Sequence, residues 1–320
     1  MSEKKLNIFG KRKIFFGISI AIILVGIICN IIFGVTLDIQ FSGGSMVSYT
    51  YNGTLNEEEL KNLVQDVTTD NQVSFTISKN IQGDNEFGEG YFLTIQFSGK
   101  EAATSEVRES ITSSLEEKYP DNNFKFSEHT AVDPTMGTKF FVKCLAAVAI
   151  ACILMVLYVT IRFKRIGGLS AGVMGLVALF HDIVIIYVTF VVFRMPIDSN
   201  FIAVILMILG YSLNDTIVIY DRIRENKAKM GPKSDLEDVY NLSMTQCMKR
   251  TICTSITTLV AIGSVYVVCL VFNISSIQSF ALPMMIGVIS GCYSSICIAT
   301  PLWVMWQKNK RAKKADSSKK

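Results

Sequence analysis

The chain is poor in residues that bend, stack or ligate: six prolines, two tryptophans and two histidines in 320 residues. Two isolated histidines and no Cys-x-x-Cys pair give no metal-ligating cluster. His129, beside Glu128, reads as an ordinary strand residue. There is no P-loop, Gly-x-Ser-x-Gly, His-Glu-x-x-His or dinucleotide-binding glycine motif, so no enzyme class is indicated and no cofactor is expected. Residues 35–137 hold no cysteine, which excludes a disulfide framework there. Seven of the eight cysteines lie in apolar runs and Cys247 in a polar loop, as small packing residues do.

Apolar residues are in excess, at 50% of the chain with a mean hydropathy of +0.39. A hydrocarbon core about 30 Å thick needs roughly 20 apolar residues per helix. Six runs qualify: Ile14–Gly34, Thr138–Ile161, Gly168–Phe193, Ile197–Tyr220, Ile252–Phe272 and Ile277–Trp306. The first follows Lys11-Arg12-Lys13 yet is long for a signal peptide and has no small-x-small cleavage site, so it reads as a retained anchor. The expected organisation is an N-terminus and first span (1–34), an inserted domain (35–137), a five-span bundle (138–306) with a polar loop (221–249), and a basic tail (307–320).

Charge placement sets the expected orientation. On one side, the N-terminus, Arg162–Arg165, Arg222–Arg250 and the tail carry 22 Lys and Arg; the other side carries nine. Short loops rich in these residues stay cytoplasmic, so both termini are expected inside a cell membrane and residues 35–137 outside. The basic termini read as retention and lipid-surface charges, with no case for nucleic acid. Trp303 and Trp306 suit an interfacial belt.

The insert holds 17 Asp and Glu against six Lys and Arg, an acidic composition unlike the spans. Met46–Tyr51, Val73–Ser78, Tyr91–Phe97 and Asn123–Val132 read as strands. Asn56 caps an expected helix over Glu57–Val67, with Leu60, Leu63, Val64 and Val67 on one face. Ala102–Lys118 carries Val107, Ile111 and Leu115 at helical spacing. This order is that of a split βαββαβ, ferredoxin-like domain, so the expected fold is α-helical and polytopic with an inserted α+β unit. In the loop 221–249, Leu236–Met248 reads as a short amphipathic helix.

Polar residues within spans carry the candidate chemistry. An ionised carboxylate at mid-membrane costs at least about 2.5–3.5 kcal/mol, so it persists for function or for a partner. Asp215, in the fourth run, sits about 10 Å from the Arg222 boundary and about 22 Å from Asn200 by helical rise. Ser212 and Tyr211 share its face and are expected to hydrogen-bond it. Asp182, after His181, lies about 18 Å from Arg194, at similar depth on the preceding antiparallel span. Arg250, Thr254, Thr257 and Thr258 make one stripe on the fifth span, from which Arg250 is placed to reach Asp215. A carboxyl group so placed can exchange a proton, and one proton crossing 100 mV yields about 2.3 kcal/mol. The alternatives are structural: a helix–helix hydrogen bond for Asp215, satisfaction of Asp182 by His181, and a snorkelling boundary cation for Arg250. Gly287 and Gly291 read as tight helix packing.

Gly210-Tyr-Ser-Leu-Asn-Asp-Thr-Ile-Val-Ile-Tyr-Asp-Arg-Ile-Arg-Glu-Asn226 resembles the signature of the SecD/SecF protein-export family, itself within the resistance-nodulation-division (RND) superfamily. Arg162-Phe163, Ala178-Leu-Phe-His-Asp182, Arg250-Thr251 with Thr254–Leu259, Gly291–Ile296 with Pro301, and Val132–Gly137 agree in order. One departure is Gln40-Phe-Ser-Gly-Gly-Ser45, where the family usually has Asp-Phe-Thr-Gly-Gly-Thr; Asp38 stands two residues earlier. Cys292 stands where a threonine is commoner. The resemblance implies a non-enzymatic SecF-type subunit that pairs with SecD beside the SecYEG channel, with YajC- or YidC-type subunits, and moves unfolded polypeptide with the proton-motive force. It implies coupling roles for Asp215 and Arg250 and a weaker one for Asp182, with Asn214, Ser212, Tyr211, His181 and Thr254 as polar support. Gly43, Gly44, Gly210, Gly287 and Gly291 are the expected structural glycines. An RND-type small-molecule or lipid exporter half, and a structural assembly subunit, are the alternatives.

Overall fold

A computed structural model describes residues 8–53, 55, 59–60, 63–64, 72–79, 90–98, 105–231, 234–272 and 274–317. Among the described residues, six helices are long and apolar enough to cross a membrane. A short 3-10 turn, Phe9–Lys11, leads into α1 (Arg12–Phe33), the first of them. After the inserted domain come α4 (Pro134–Arg162), α5 (Gly168–Val192), α6 (Ser199–Met230) and α7 (Leu236–Val271). The last span is composite: α8 (Ser275–Ser294), a π-helical turn (Ser295–Ala299) and α9 (Thr300–Ser317).

Three of these helices start on the same device. Asp133, Asp198 and Asp235 have extended backbones and accept hydrogen bonds from the amides of Thr135, Phe201 and Glu237, satisfying donors that a helix start leaves unpaired. Pro134, at the first position of α4, gives up an amide that needs no partner. The spans arrange as three inner helices (α5, α6 and the α8–α9 rod) and three outer ones. In the most apolar stretch of each, 56–67% of the inner residues are buried, against 6–11% in α1, α4 and α7.

The polar segment 221–249 is not a loop. α6 runs on to Met230, α7 begins at Leu236, and one continuous helix covers both the expected short helix Leu236–Met248 and the fifth apolar run. The helical propensity and the alternating charges of this segment explain the difference: Arg222–Glu225 and Glu225–Lys229 pairs lie one turn apart on α6. Asn226 donates to Ser243 Oγ and Gln246 Oε1, zipping the two helices beyond the apolar zone. Trp303 is a second correction. It is fully buried beside Tyr220, with ring centroids 5.9 Å apart, while Trp306 stays exposed.

The inserted domain has a four-stranded sheet of β1 (Gly44–Tyr51), β2 (Gln72–Lys79), β3 (Tyr91–Ser98) and β4 (Lys125–Val132) in the order β2-β3-β1-β4, with every neighbour antiparallel. A helix, α3 (Ser105–Lys118), joins β3 to β4. Val47, Tyr49, Tyr51, Leu93, Ile95 and Phe97 bury one sheet face against Ile111 and Leu115 of α3 and against Leu60 and Val64. Residues 59–60 and 63–64 of the expected first helix are helical, and the rest of Glu57–Val67 lies outside the described residues. His129 stands in β4 opposite Val47, as its strand reading requires.

A single helical turn, α2 (Ile39–Ser42), connects α1 to β1 and packs on α4. Gly43 has φ +76°, and a Cβ there would meet Pro134 Cα at 2.3 Å. Gly44, at φ +137°, lies just as close to the Phe97 carbonyl. Both are structural glycines for reasons of backbone sterics.

Candidate functional site

Two buried carboxyl groups lie among α5, α6 and α8, in contrasting surroundings. Asp182, on α5, is fully buried and accepts three serine hydroxyls: Ser290 at 2.6 Å on Oδ1, and Ser212 and Ser294 at 2.7 Å each on Oδ2. His181 Nδ1 adds a contact at 3.3 Å. His181 therefore joins the satisfaction of Asp182, but three hydroxyls from two other spans carry most of it. Charge-assisted hydrogen bonds of this length are strong, and an aspartate so surrounded knits the inner helices together.

Asp215 differs. It is 3% exposed, its Oδ2 has no hydrogen-bond partner, and it forms no ion pair among the described residues. Tyr211 and Ser212 do not reach it. Ser212 is drawn to Asp182, and Tyr211 donates to Ser255 Oγ at 3.2 Å. Residues 211 and 212 lie one turn before Asp215, and their nearer partners on α5 and α7 win them.

The Tyr211–Ser255 bond sets the register of α6 against α7 near Asp215. One turn forward on α6 is Asp215; one turn back on the antiparallel α7 is Thr251. Thr251 is 2% exposed and its hydroxyl also lacks a partner. The face turned inward is thus Thr251–Ser255. The expected stripe of Arg250, Thr254 and Thr257 is exposed, and these threonine hydroxyls bond back to carbonyls of their own helix. Arg250 still acts electrostatically on Asp215 from the edge of that face. Cys292 of α8 lies beside Ser255 on this wall.

A second hydroxyl relay runs beside the carboxylates. Thr216 Oγ1 and Ser295 Oγ are 2.8 Å apart, and Ser295 donates to the Ser212 carbonyl at 3.0 Å. Ser295 opens the π-helical turn, a distortion that re-aims side chains and is frequent at functional sites. Gly291 makes this approach possible, since a Cβ there would lie 3.0 Å from Ser212 Cβ; at Gly287 it would meet Ile208 at 2.6 Å. Gly210 meets open space within this chain, and Asn214 points outward, away from both carboxylates. Sequence reasoning missed Ser290, Ser294, Ser295, Thr216 and Thr251. The i, i+4 pair Ser290–Ser294 around Gly291 was the available signal.

Residues 111–309 match the family model described as protein export membrane protein SecD/SecF, C-terminal. The protein translocase subunit SecF of Petrotoga mobilis is 32% identical over 311 residues, covering 97% of this chain and 99% of that protein. The SecF of Borreliella burgdorferi is 34% identical over 288 residues, 89% and 92% of the two chains. The SecDF of Bacillus subtilis is 32% identical over 307 residues, where 95% of this chain matches 38% of that longer protein. The crystal structure of SecDF from Thermus thermophilus shares the fold, with a TM-score of 0.76 at 24% identity over 96% of this chain and 39% of its own. The full-length match to SecF proteins joins the six spans and the inserted sheet in one conclusion: the chain is a multi-pass membrane protein that belongs to the SecD/SecF family of protein-export membrane proteins, in its SecF branch.

Proposed function

We propose that this chain is the SecF half of a SecD–SecF assembly that assists protein export at the Sec translocon, driven by protons passing through Asp215. The observation that carries this reading is the buried Asp215 carboxyl group at mid-span, with an oxygen that has no partner among the described residues; the Thr251 hydroxyl, on the buried face of α7, is likewise unpartnered. An unpaired buried carboxylate is costly, so the site favours proton uptake and offers a hydroxyl to relay it. Asp182, held by three hydroxyls, is the fixed post against which α6 moves; protonation of Asp215 changes its attraction to Arg250 and with it the α6–α7 contact.

The positive-side count supports cytoplasmic termini and an inserted domain outside the cell membrane. We read that domain as ferredoxin-like, on its antiparallel β2-β3-β1-β4 order and its helix between β3 and β4. It engages unfolded polypeptide there, and SecYEG with YajC- or YidC-type subunits completes the surroundings. No catalytic step is assigned, and the proton is the only coupling ion. Asp215→Asn removes the exchangeable proton while preserving shape. Inverted vesicles carrying it should assemble with SecD but lose proton-dependent export by at least about tenfold, a cost of roughly 1.4 kcal/mol or more in coupling. Normal export by that variant removes the reading.

A further inference from the structure

The segment leading from α1 into the inserted domain is fastened to the start of α6, the helix that carries Asp215. Ile197 donates its amide to the Thr36 carbonyl at 2.9 Å, and Asp38 donates its amide to the Ile197 carbonyl at 3.1 Å, forming a parallel bridge at Leu37–Ile197. Each strand of this clasp ends in a capping aspartate: Asp38 for α2 and Asp198 for α6. Asp38 is 6% exposed and Asp198 half-buried, and the charge of one acts on the other.

We propose that Asp198, placed beside Asp38 by the bridge, makes this clasp a pH-sensitive latch, which proton uptake by Asp198 on the domain side closes and its ionisation loosens. The geometry supplies the reason. Two acidic side chains sit on the two segments that the bridge must hold together, and among the described residues neither forms an ion pair. Asp198 also accepts from the Phe201 amide and from the Asn200 side chain, whose Nδ2 donates to Oδ2 at 2.8 Å and also to Ser279 Oγ of α8 at 3.1 Å. The nearest cation in sequence, Arg194, lies over the Phe33 ring, 4.5 Å from its centroid.

Burial first, and then the Asp38 charge, hold the Asp198 carboxyl above the usual carboxylate range, against the opposing pull of the Phe201 amide. The closed latch therefore binds a proton more tightly than the open one, and closure is favoured as pH falls. Asp215 lies seventeen residues further along the same unbroken helix, about 25 Å by helical rise, so the latch sets whether movement of α6 reaches the base of the inserted domain. That consequence rests on the function proposed above; the latch itself does not.

The test uses the purified full chain in detergent with Leu37→Cys and Ile197→Cys, oxidised by copper phenanthroline at several pH values. The 37–197 disulfide is quantified by peptide mass spectrometry, and each yield is divided by that of the same protein also carrying Asp198→Asn. Asparagine caps a helix as well as aspartate does, so that variant keeps the fold while removing the charge, and the ratio cancels thiol ionisation. The ratio should rise by at least about twofold between about pH 8 and about pH 5, and Asp38→Asn should flatten it. A ratio independent of pH overturns the latch, as does the absence of the disulfide at every pH. Export by Asp215→Asn decides the functional reading separately.

Discussion

At the scale of residues, two aspartates of one type and similar depth end in opposite states because of their neighbours. Asp182 collects the hydroxyls of Ser212, Ser290 and Ser294, while Asp215 collects none. Asp182 is satisfied by hydroxyls, and Asp215 is left with an oxygen that has no partner among the described residues. Thr251, in place of the expected Thr254, lies on the buried face of α7. Thr251→Val keeps the shape and deletes the hydroxyl, so it should slow proton-dependent export by about tenfold or more, whereas Thr254→Val should leave it within about twofold. Equal effects from the two, measured in the vesicle assay, would sink the assignment of faces.

At the scale of elements, close approach is set by glycine. Gly43 holds the turn from α2 into β1 at a backbone angle that a side chain resists, with the Pro134 backbone against it. Gly43→Ala should destabilise the chain by about 2–4 kcal/mol through strain and clash, seen as a lowered thermal midpoint in detergent. Gly210 is the contrast. A methyl there meets nothing within this chain, and Gly210→Ala should be neutral or stabilise α6 by up to about 1 kcal/mol in the same measurement. The long α6–α7 hairpin is a further element-scale result. Its charged pairs and the Asn226 bridge extend both helices past the apolar zone, and Lys308 of α9 pairs with Asp235 and Glu237 at the foot of α7.

At the scale of the molecule, the exposed stripe of α7 is informative. Arg250, Thr254 and Thr257 face outward, and so does Asn214 of α6. Polar groups on a lipid-exposed helix face are costly, and a second bundle laid against them removes the cost. The chain matches only 38–41% of the SecDF proteins it resembles, which leaves room for such a bundle. A cysteine at Thr257 should therefore crosslink to co-expressed SecD at several times the yield of one at Phe180, an exposed residue of α5. Yields that do not differ would place the partner elsewhere.

The sequence alone determined the spans, because apolar run length is a local property that the hydrocarbon thickness reads directly. It determined the inserted strands through their alternation and turns, and it marked Asp182 and Asp215 through the cost of a carboxyl group in an apolar run. The tertiary structure alone decided which hydroxyls serve which aspartate, that Thr251 faces inward, that Trp303 is buried, and that Asp38 meets Ile197. Those facts depend on helix rotation and on contacts between residues 30 to 160 positions apart, such as Ser212 with Asp182 and Asp38 with Ile197. Local periodicity says that a helix has two faces; only packing says what each face meets.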